Sequence, residues 1–396
     1  MKLDLPRYTE RFGSISLHGV QRVFELDSGM EKGKKVSEHI VAIGNEQISE
    51  IESKMAIVIP IRNERLKLLE GVLSGIPHNC MTIILSNSPR QPVDRYKLEK
   101  ESLEQFNRFA NKNALILHQR DEGVAETLRD VGYTDLLGAD NLVRNGKAEG
   151  MVLGMLLAKM GGKDYVGFID GDNYVPGAVN EYVKIFSAGI AMSNTPYKMI
   201  RVSWIYKPKI SESGIYFSKW GRVSEITNYF LNSLISYYTG FETEVVRTGN
   251  SGEHCISLKL AELMSFSSGF SVETYEIVDL LEEFGGILPT DYQDAMDKGV
   301  EVMQVETRNP HFHEEKGDAH LKEMINGSLG CIYHSKICHP KLQEKIIEEL
   351  RNKSTIEEGG EPPVLEKMKP FKDIDIKTFE EKLHEKANSL VHWNGQ

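Results

Sequence analysis

Tyr165-Val-Gly-Phe-Ile-Asp-Gly-Asp-Asn-Tyr-Val-Pro-Gly177 is a short apolar run that ends in an Asp-x-Asp pair. In an extended segment, residues i and i+2 leave the backbone on the same side, so Asp170 and Asp172 at a strand end can converge on one point beyond a sheet. Two hard anionic oxygen donors at one point suit Mg²⁺ or Mn²⁺. Such a cation keeps part of its shell for water and substrate phosphates, which makes a nucleotide diphosphate its natural guest. Asp-Gly-Asp-Asn is also good turn chemistry, so the pair alone does not fix a function.

The segments on either side say what kind of sheet receives this strand. Met55-Ala-Ile-Val-Ile-Pro-Ile61, Met81-Thr-Ile-Ile-Leu-Ser-Asn87 and Ala114-Leu-Ile-Leu117 are continuous apolar runs, as expected of strands buried on both faces. Helix-like segments separate them: Leu66, Leu69 and Leu73 repeat at i, i+3, i+7, and helical spacing returns over residues 95–110. This alternation predicts an α/β protein with a mainly parallel sheet, which binds ligands beyond the carboxyl ends of its strands. Arg62-Asn63-Glu64, Ser86-Asn87, Gln119-Arg120-Asp121 and the Asp170/Asp172 pair should therefore share one crevice.

Val143-Arg-Asn-Gly-Lys-Ala-Glu-Gly-Met151 opens a helix running to about Met160, with Gly146 and Lys147 at its start. Free N–H groups, the helix dipole and an ammonium there favour an anion, although no P-loop pattern is present. Further along, Met199–Trp204 and Val302–Thr307 read as strands, and Trp220–Asn228 leads into a helix reaching about Tyr238. Arg222 in that segment offers a planar fork for carboxylate or phosphate. Thr248–His254 reads as a polar turn before an apolar helix with Leu258, Leu260 and Leu263, where Glu253 would orient a substrate hydroxyl or cap the helix. His311 and His313 stand two apart and face one way if extended, as metal ligands could. Cys331, His334, Cys338 and His339 have the spacing of no common zinc knuckle and read as helix packing plus a loop.

Composition narrows the classes. A net charge of −11 over 396 residues gives no basic field for nucleic acid. No apolar run is long enough for a membrane span, and Met1-Lys-Leu-Asp-Leu-Pro6 lacks the apolar core of a signal peptide. Four cysteines are too few for a disulfide framework in such a chain, and a cytoplasmic protein is expected. The segments divide into a strand-rich 1–53, an α/β region over 54–204 with the nucleotide crevice, a further region over 205–340 that completes the domain, and a charged tail over 341–396 with a terminal helix near 376–390. That tail is expected to wrap the core or to pair with a second copy in a homodimer.

Four blocks in this order carry a family resemblance: Ile57–Glu64, Gly146–Gly150 with Phe168–Gly177, Trp220–Asn228, and Asn309–Glu314. Together they resemble the mannosyl-3-phosphoglycerate synthases, retaining glycosyltransferases of the GT-A fold. The resemblance implies transfer from GDP-mannose to D-3-phosphoglycerate with a divalent cation, toward the compatible solute mannosylglycerate. It further implies that Pro60, Arg62, Glu64, Ser86 and the Gln119–Asp121 turn form the guanosine side, that Lys147 meets the pyrophosphate, that Asp172 is the direct metal ligand and that Asp170 lies nearer the ribose. Related glucosyl-3-phosphoglycerate synthases carry a Gly-Arg-Val-Thr acceptor turn, similar to Gly221-Arg222-Val223-Ser224 here, an acidic residue where Glu253 stands, and a metal-binding His at a spacing that selects His313 over His311. A glucosyl enzyme using UDP- or GDP-glucose needs the same parts, while a non-catalytic nucleotide-binding regulator would need neither the acceptor turn nor the histidines.

Overall fold

The protein is described by a computed structural model of residues 1–396, apart from residues 28, 30–33, 36, 174, 212–213, 220, 313–316 and 396 and the side chains of residues 34–35, 208–211, 214–216 and 222. The three apolar runs form the strands Met55–Ile61, Met81–Ser86 and Ala114–His118, and Tyr165–Phe168 joins them, all mutually parallel. Their alternate side chains feed two separate cores. Val58, Leu85 and Leu117 pack with Leu153 and Leu157 of the helix Lys147–Met160, whereas Ile57, Ile59, Ile84 and Ile116 pack with Leu69, Leu73 and Phe186 from the helices Leu66–Gly75 and Pro176–Met192. A strand buried on both faces has no polar face to show, which is why these segments read as unbroken apolar runs. The helix Lys147–Met160 comes close because of Gly154, where a Cβ would sit 2.6 Å from Val58 Cγ1.

Beyond Tyr165–Phe168 the sheet changes direction once. His254–Ser257 is a strand that pairs antiparallel with both Tyr165–Phe168 and Tyr197–Ser203, and Val300–Glu306 then runs parallel to Tyr197–Ser203. This corrects the apolar helix expected directly after Glu253: a four-residue strand comes first, and the helix is confined to Leu258–Ala261. Polar His254 and Ser257 at fully enclosed positions hid the strand, because four residues are too few to show a period. The reversal matters for function. Each of these parallel strands delivers its carboxyl end to one edge of the sheet, and the antiparallel strand His254–Ser257 delivers its amino end, with Glu253, to the same edge.

The termini extend the sheet at its two sides. Ile15–His18 and Gln21–Glu25 pair with Val300–Glu306, and Val391–Trp393 pairs antiparallel with Ala114–His118. The terminal helix expected near 376–390 ends at Lys386, and the residues after Ser389 cover the outer strand of the sheet, so the tail is part of the main structure. No helix among the described residues is long and apolar enough to cross a membrane.

One buried carboxyl in the N-terminal segment ties stability to pH. Glu52, enclosed on the helix Asn45–Ser53, is pushed from 4.5 up to about 7 by burial, with Lys184 opposing. A raised folded-state pKa contributes stability that is present below the ordinary carboxyl range and is lost as pH rises through about 7. Glu52→Gln is therefore expected to flatten the fall in melting temperature between mildly acidic and neutral buffers. Equal pH dependence in variant and wild type would contradict it.

Candidate functional site

Asp170 and Asp172 leave the end of the Tyr165–Phe168 strand at the shared edge, and the turn between them is pressed against the neighbouring strand. A Cβ on Gly171 would come 2.7 Å from Ile61 Cγ2, so the middle residue of Asp-Gly-Asp is held small by packing. Asp172 is buried. Lys147, the first residue of its helix, donates from Nζ to Asp170 Oδ1 at 2.7 Å and to Glu273 Oε1 at 2.7 Å. Burial alone would lower the lysine's pKa, but Asp170 and Glu273 outweigh it and hold the ammonium firmly protonated. Glu273 was not foreseen in the sequence. It lies on the helix Val272–Phe284, more than a hundred residues from Lys147, and nothing in the local pattern marks it.

Glu253 forms the floor of the site. Asn173 Nδ2 donates to Glu253 Oε1 and to the Asp170 carbonyl, each at 2.9 Å, so the loop after Asp172 fixes one carboxyl oxygen. The other, Oε2, is fully enclosed without a hydrogen-bond partner among the described residues and stands 4.0 Å from His311 Nδ1. Burial first, and Asp170 second, push Glu253 up to about 8. Glu253 thus caps no helix. It faces the two aspartates as a buried, readily protonated carboxyl.

His311 is also buried, with its ring stacked on Trp204 at 4.5 Å and Nδ1 at 3.3 Å from Tyr182 Oη. The turn that carries it is clamped by Glu181, whose carboxylate accepts from the Arg308 and Asn309 amides at 2.6 and 3.0 Å and from Asn309 Nδ2 at 2.6 Å. Sequence reading missed Glu181. An acidic residue facing inward in an otherwise apolar helix was the available signal. Glu181→Ala is expected to lower kcat by about ten- to a hundredfold, the usual cost of losing an orienting partner, with nucleotide affinity little changed. Wild-type kcat in this variant would refute the clamp.

His313 lies outside the described residues. Among the described residues no group of three or more His, Cys, Asp or Glu side chains is spaced to hold a metal ion, so Asp170, Asp172 and His311 do not close a protein cage together. His311 groups with Glu253, Tyr182 and Trp204 instead. The two aspartates still fit a hard cation of the Mg²⁺ or Mn²⁺ kind, which takes one or two carboxylates and leaves its other positions to water and phosphate.

The strand ends that flank the aspartates differ in what they can offer a ligand. Arg62 is exposed, and Pro60 and Glu64 are half-buried at the rim; Asn63 between them adopts φ 63°, and its N–H donates to Ser88 Oγ at 2.7 Å. Ser86 and Asp121 sit deeper than the sequence reading anticipated. The Ser86 hydroxyl donates to buried Glu99 at 2.6 Å, while Asp121 caps the helix Glu122–Asp130 through Gly123 N–H and accepts from Ser389 N–H at 2.7 Å. Both shape the crevice from behind its wall. Gln119 Nε2 donates to the carbonyls of Arg144 and Gly146 at 2.7 and 2.9 Å, which fixes the loop that presents Lys147.

A narrow cleft lined in part by Trp204, Gly221 and Ser224 lies against the start of the helix Arg222–Thr239. Gly221 precedes that helix, Ser224 is buried beside it, and Val223 packs into the core; the Arg222 side chain is outside the described set. The cleft is also lined by Lys207, Lys219 and Arg247, three cations that no motif announced. Lys207 Nζ lies 3.9 Å from the Trp204 ring centroid. Burial draws its pKa down to about 8 against the pull of Glu253, Asp170 and Asp172. An edge with paired carboxylates and a helix-start lysine, beside a cleft lined by three cations, has the charge to bring together two phosphorylated molecules.

The family model described as mannosyl-3-phosphoglycerate synthase matches residues 5–383. A mannosyl-3-phosphoglycerate synthase from Pyrococcus furiosus is 46% identical over 99% of this chain and 100% of its own, and one from Aeropyrum pernix is 38% identical over 91% and 92%. Among solved structures, a glucosyl-3-phosphoglycerate synthase from Mycobacterium tuberculosis in complex with Mn²⁺, UDP-glucose and glycerol 3-phosphate is 16% identical over 89% of this chain and 98% of that one, with a TM-score of 0.49. The mannosyl-3-phosphoglycerate synthase from Rubrobacter xylanophilus is 14% identical over 82% and 92%, with a TM-score of 0.47. On the family match and the two close relatives, this chain belongs to the mannosyl-3-phosphoglycerate synthase family and is a glycosyltransferase.

Proposed function

We propose that this enzyme transfers mannose from GDP-mannose to D-3-phosphoglycerate in the cytoplasm, with retention at the anomeric carbon and with Mg²⁺ or Mn²⁺ as cofactor. The observation that carries the reading is the single sheet edge on which Lys147, Asp170 and Asp172 stand beside a cleft lined by Lys207, Lys219 and Arg247. Asp172 and Asp170 would hold the cation, with His313 as the imidazole ligand that the family resemblance implies. Bound there, the cation would neutralise charge on the departing diphosphate.

The protein's own groups do the rest. Lys147 and the start of its helix bind the pyrophosphate, and the Lys147 ammonium is already in place as negative charge develops on the leaving oxygen. Pro60, Arg62 and Glu64 border the guanosine, with Ser86, Gln119 and Asp121 supporting the wall. The Gly221–Ser224 turn receives the acceptor, with Arg222 at the helix start as a bidentate phosphate ligand. The anomeric C–O bond to phosphate breaks, a bond to the acceptor hydroxyl oxygen forms on the same face, and the hydroxyl proton passes to the leaving phosphate oxygen. This same-face route asks no nucleophile of Glu253, one of whose carboxyl oxygens is held by Asn173 Nδ2.

Initial rates with GDP-mannose, GDP-glucose and UDP-glucose, each with D-3-phosphoglycerate and Mg²⁺, test the donor assignment. GDP-mannose is expected to have the highest kcat/KM. Preference for UDP-glucose would reassign the enzyme to glucosyl transfer.

A further inference from the structure

The proposed acceptor is a small molecule with two anionic ends. In D-3-phosphoglycerate the carboxylate is attached to the carbon that bears the reacting hydroxyl, whereas the phosphate is one carbon further away. Any pose that brings the hydroxyl to the sugar therefore keeps the carboxylate beside the reacting centre, with the phosphate one carbon further from it.

The three cleft cations divide in the same way. Lys219 is half exposed and paired with Glu306 at 2.6 Å; Arg247 is also partly exposed and lies 2.5 Å from Glu244. Both belong to the outer rim. Lys207 lies inside, under the combined field of Glu253, Asp170 and Asp172, with its ammonium over the Trp204 ring. Among the described residues no carboxylate comes within the 4.0 Å of an ion pair with it. A Cβ on Gly221 would stand 3.4 Å from Lys207 Nζ, so the absence of a side chain there leaves the ammonium open to the turn at the helix start. A desolvated ammonium without an ion-pair partner is costly to keep, and an arriving anion relieves that cost.

We infer that Lys207 is a specificity-determining residue that binds the carboxylate of the acceptor, so that the enzyme selects a phosphorylated 2-hydroxy acid over a phosphorylated polyol. The inference rests on the acceptor proposed above and adds which end of it each cation reads. Lys207 acts on the group beside the reacting oxygen; Lys219 and Arg247 act on the phosphate.

Glycerol 3-phosphate keeps the phosphate and lacks the carboxylate, so it separates the two contacts. Calorimetry with the full-length enzyme, GDP and Mg²⁺ would give the dissociation constants of D-3-phosphoglycerate and glycerol 3-phosphate for wild type, Lys207→Met, Lys207→Arg and Lys219→Met. Lys207→Met is expected to weaken D-3-phosphoglycerate by about ten- to a hundredfold, the loss of one charge-assisted contact, and to leave glycerol 3-phosphate within about twofold. Lys207→Arg should recover most of that loss, and Lys219→Met should weaken both ligands together. An unchanged GDP affinity checks that each variant is folded. Equal weakening of both ligands by Lys207→Met, weakening of neither, or no recovery in Lys207→Arg would overturn the assignment. Failure of the wild-type enzyme to bind D-3-phosphoglycerate, with GDP still bound, would overturn the proposed acceptor and this inference with it.

Discussion

Asp172→Ala is expected to lower kcat by roughly a thousandfold or more while the melting temperature stays near that of wild type. If Asp172 is the direct metal ligand, as proposed above, its removal takes away several kcal/mol of charge stabilisation at the leaving diphosphate. It also removes one of several crowded negative charges, since Asp170 and Glu273 stand at the same edge. The fold should therefore lose little. Turnover at saturating Mn²⁺ and thermal unfolding, measured on the same preparation, check this; a variant that kept a near-wild-type rate would remove the Asp-x-Asp pair from the chemistry.

Lys147→Met should cost both activity and stability, which distinguishes it from Asp172→Ala. The Lys147 ammonium ties Asp170 to Glu273, with 2.7 Å contacts on both sides and little exposure. Breaking a buried ion pair by deleting one partner typically costs about 3–5 kcal/mol, because the remaining charges stay buried and unpaired. Losing the cation beside the leaving phosphate should also lower kcat/KM by about a hundredfold or more. Glu273→Gln keeps the lysine and one of its carboxylates, so it should show a much smaller defect in both measurements. If Lys147→Met unfolded like wild type, the Asp170–Lys147–Glu273 bridge would not be structural.

What was legible in the sequence follows from how each feature is encoded. Met55–Ile61, Met81–Ser86 and Ala114–His118 are buried on both faces, so their continuous apolar runs announced a parallel sheet without any partner being known. Asp170, Asp172 and Lys147 sit at element ends that local pattern can locate. Glu253 was visible as a candidate, but its setting was not, because it depends on a four-residue antiparallel strand with polar residues at both ends. Glu273 and Lys207 were invisible, and Glu181 was missed, for another reason. Glu273 and Glu181 acquire their roles from partners on distant elements, Lys147 and the Arg308–Asn309 turn, while Lys207 lies over the nearby Trp204 ring in a stretch with no motif to mark it. Ser86 and Asp121 show the reverse case, where polar residues at strand ends serve Glu99 and the Ser389 backbone behind the crevice.

Incubation of the enzyme with GDP-mannose, D-3-phosphoglycerate and Mg²⁺, followed by mass and proton NMR analysis of the product, tests the central claim most directly. A phosphorylated mannosyl-glycerate with the α-anomeric configuration of the donor, formed with the metal and lost on chelation, is the expected result. Free mannose with unmodified phosphoglycerate, or a β-linked product, would contradict it.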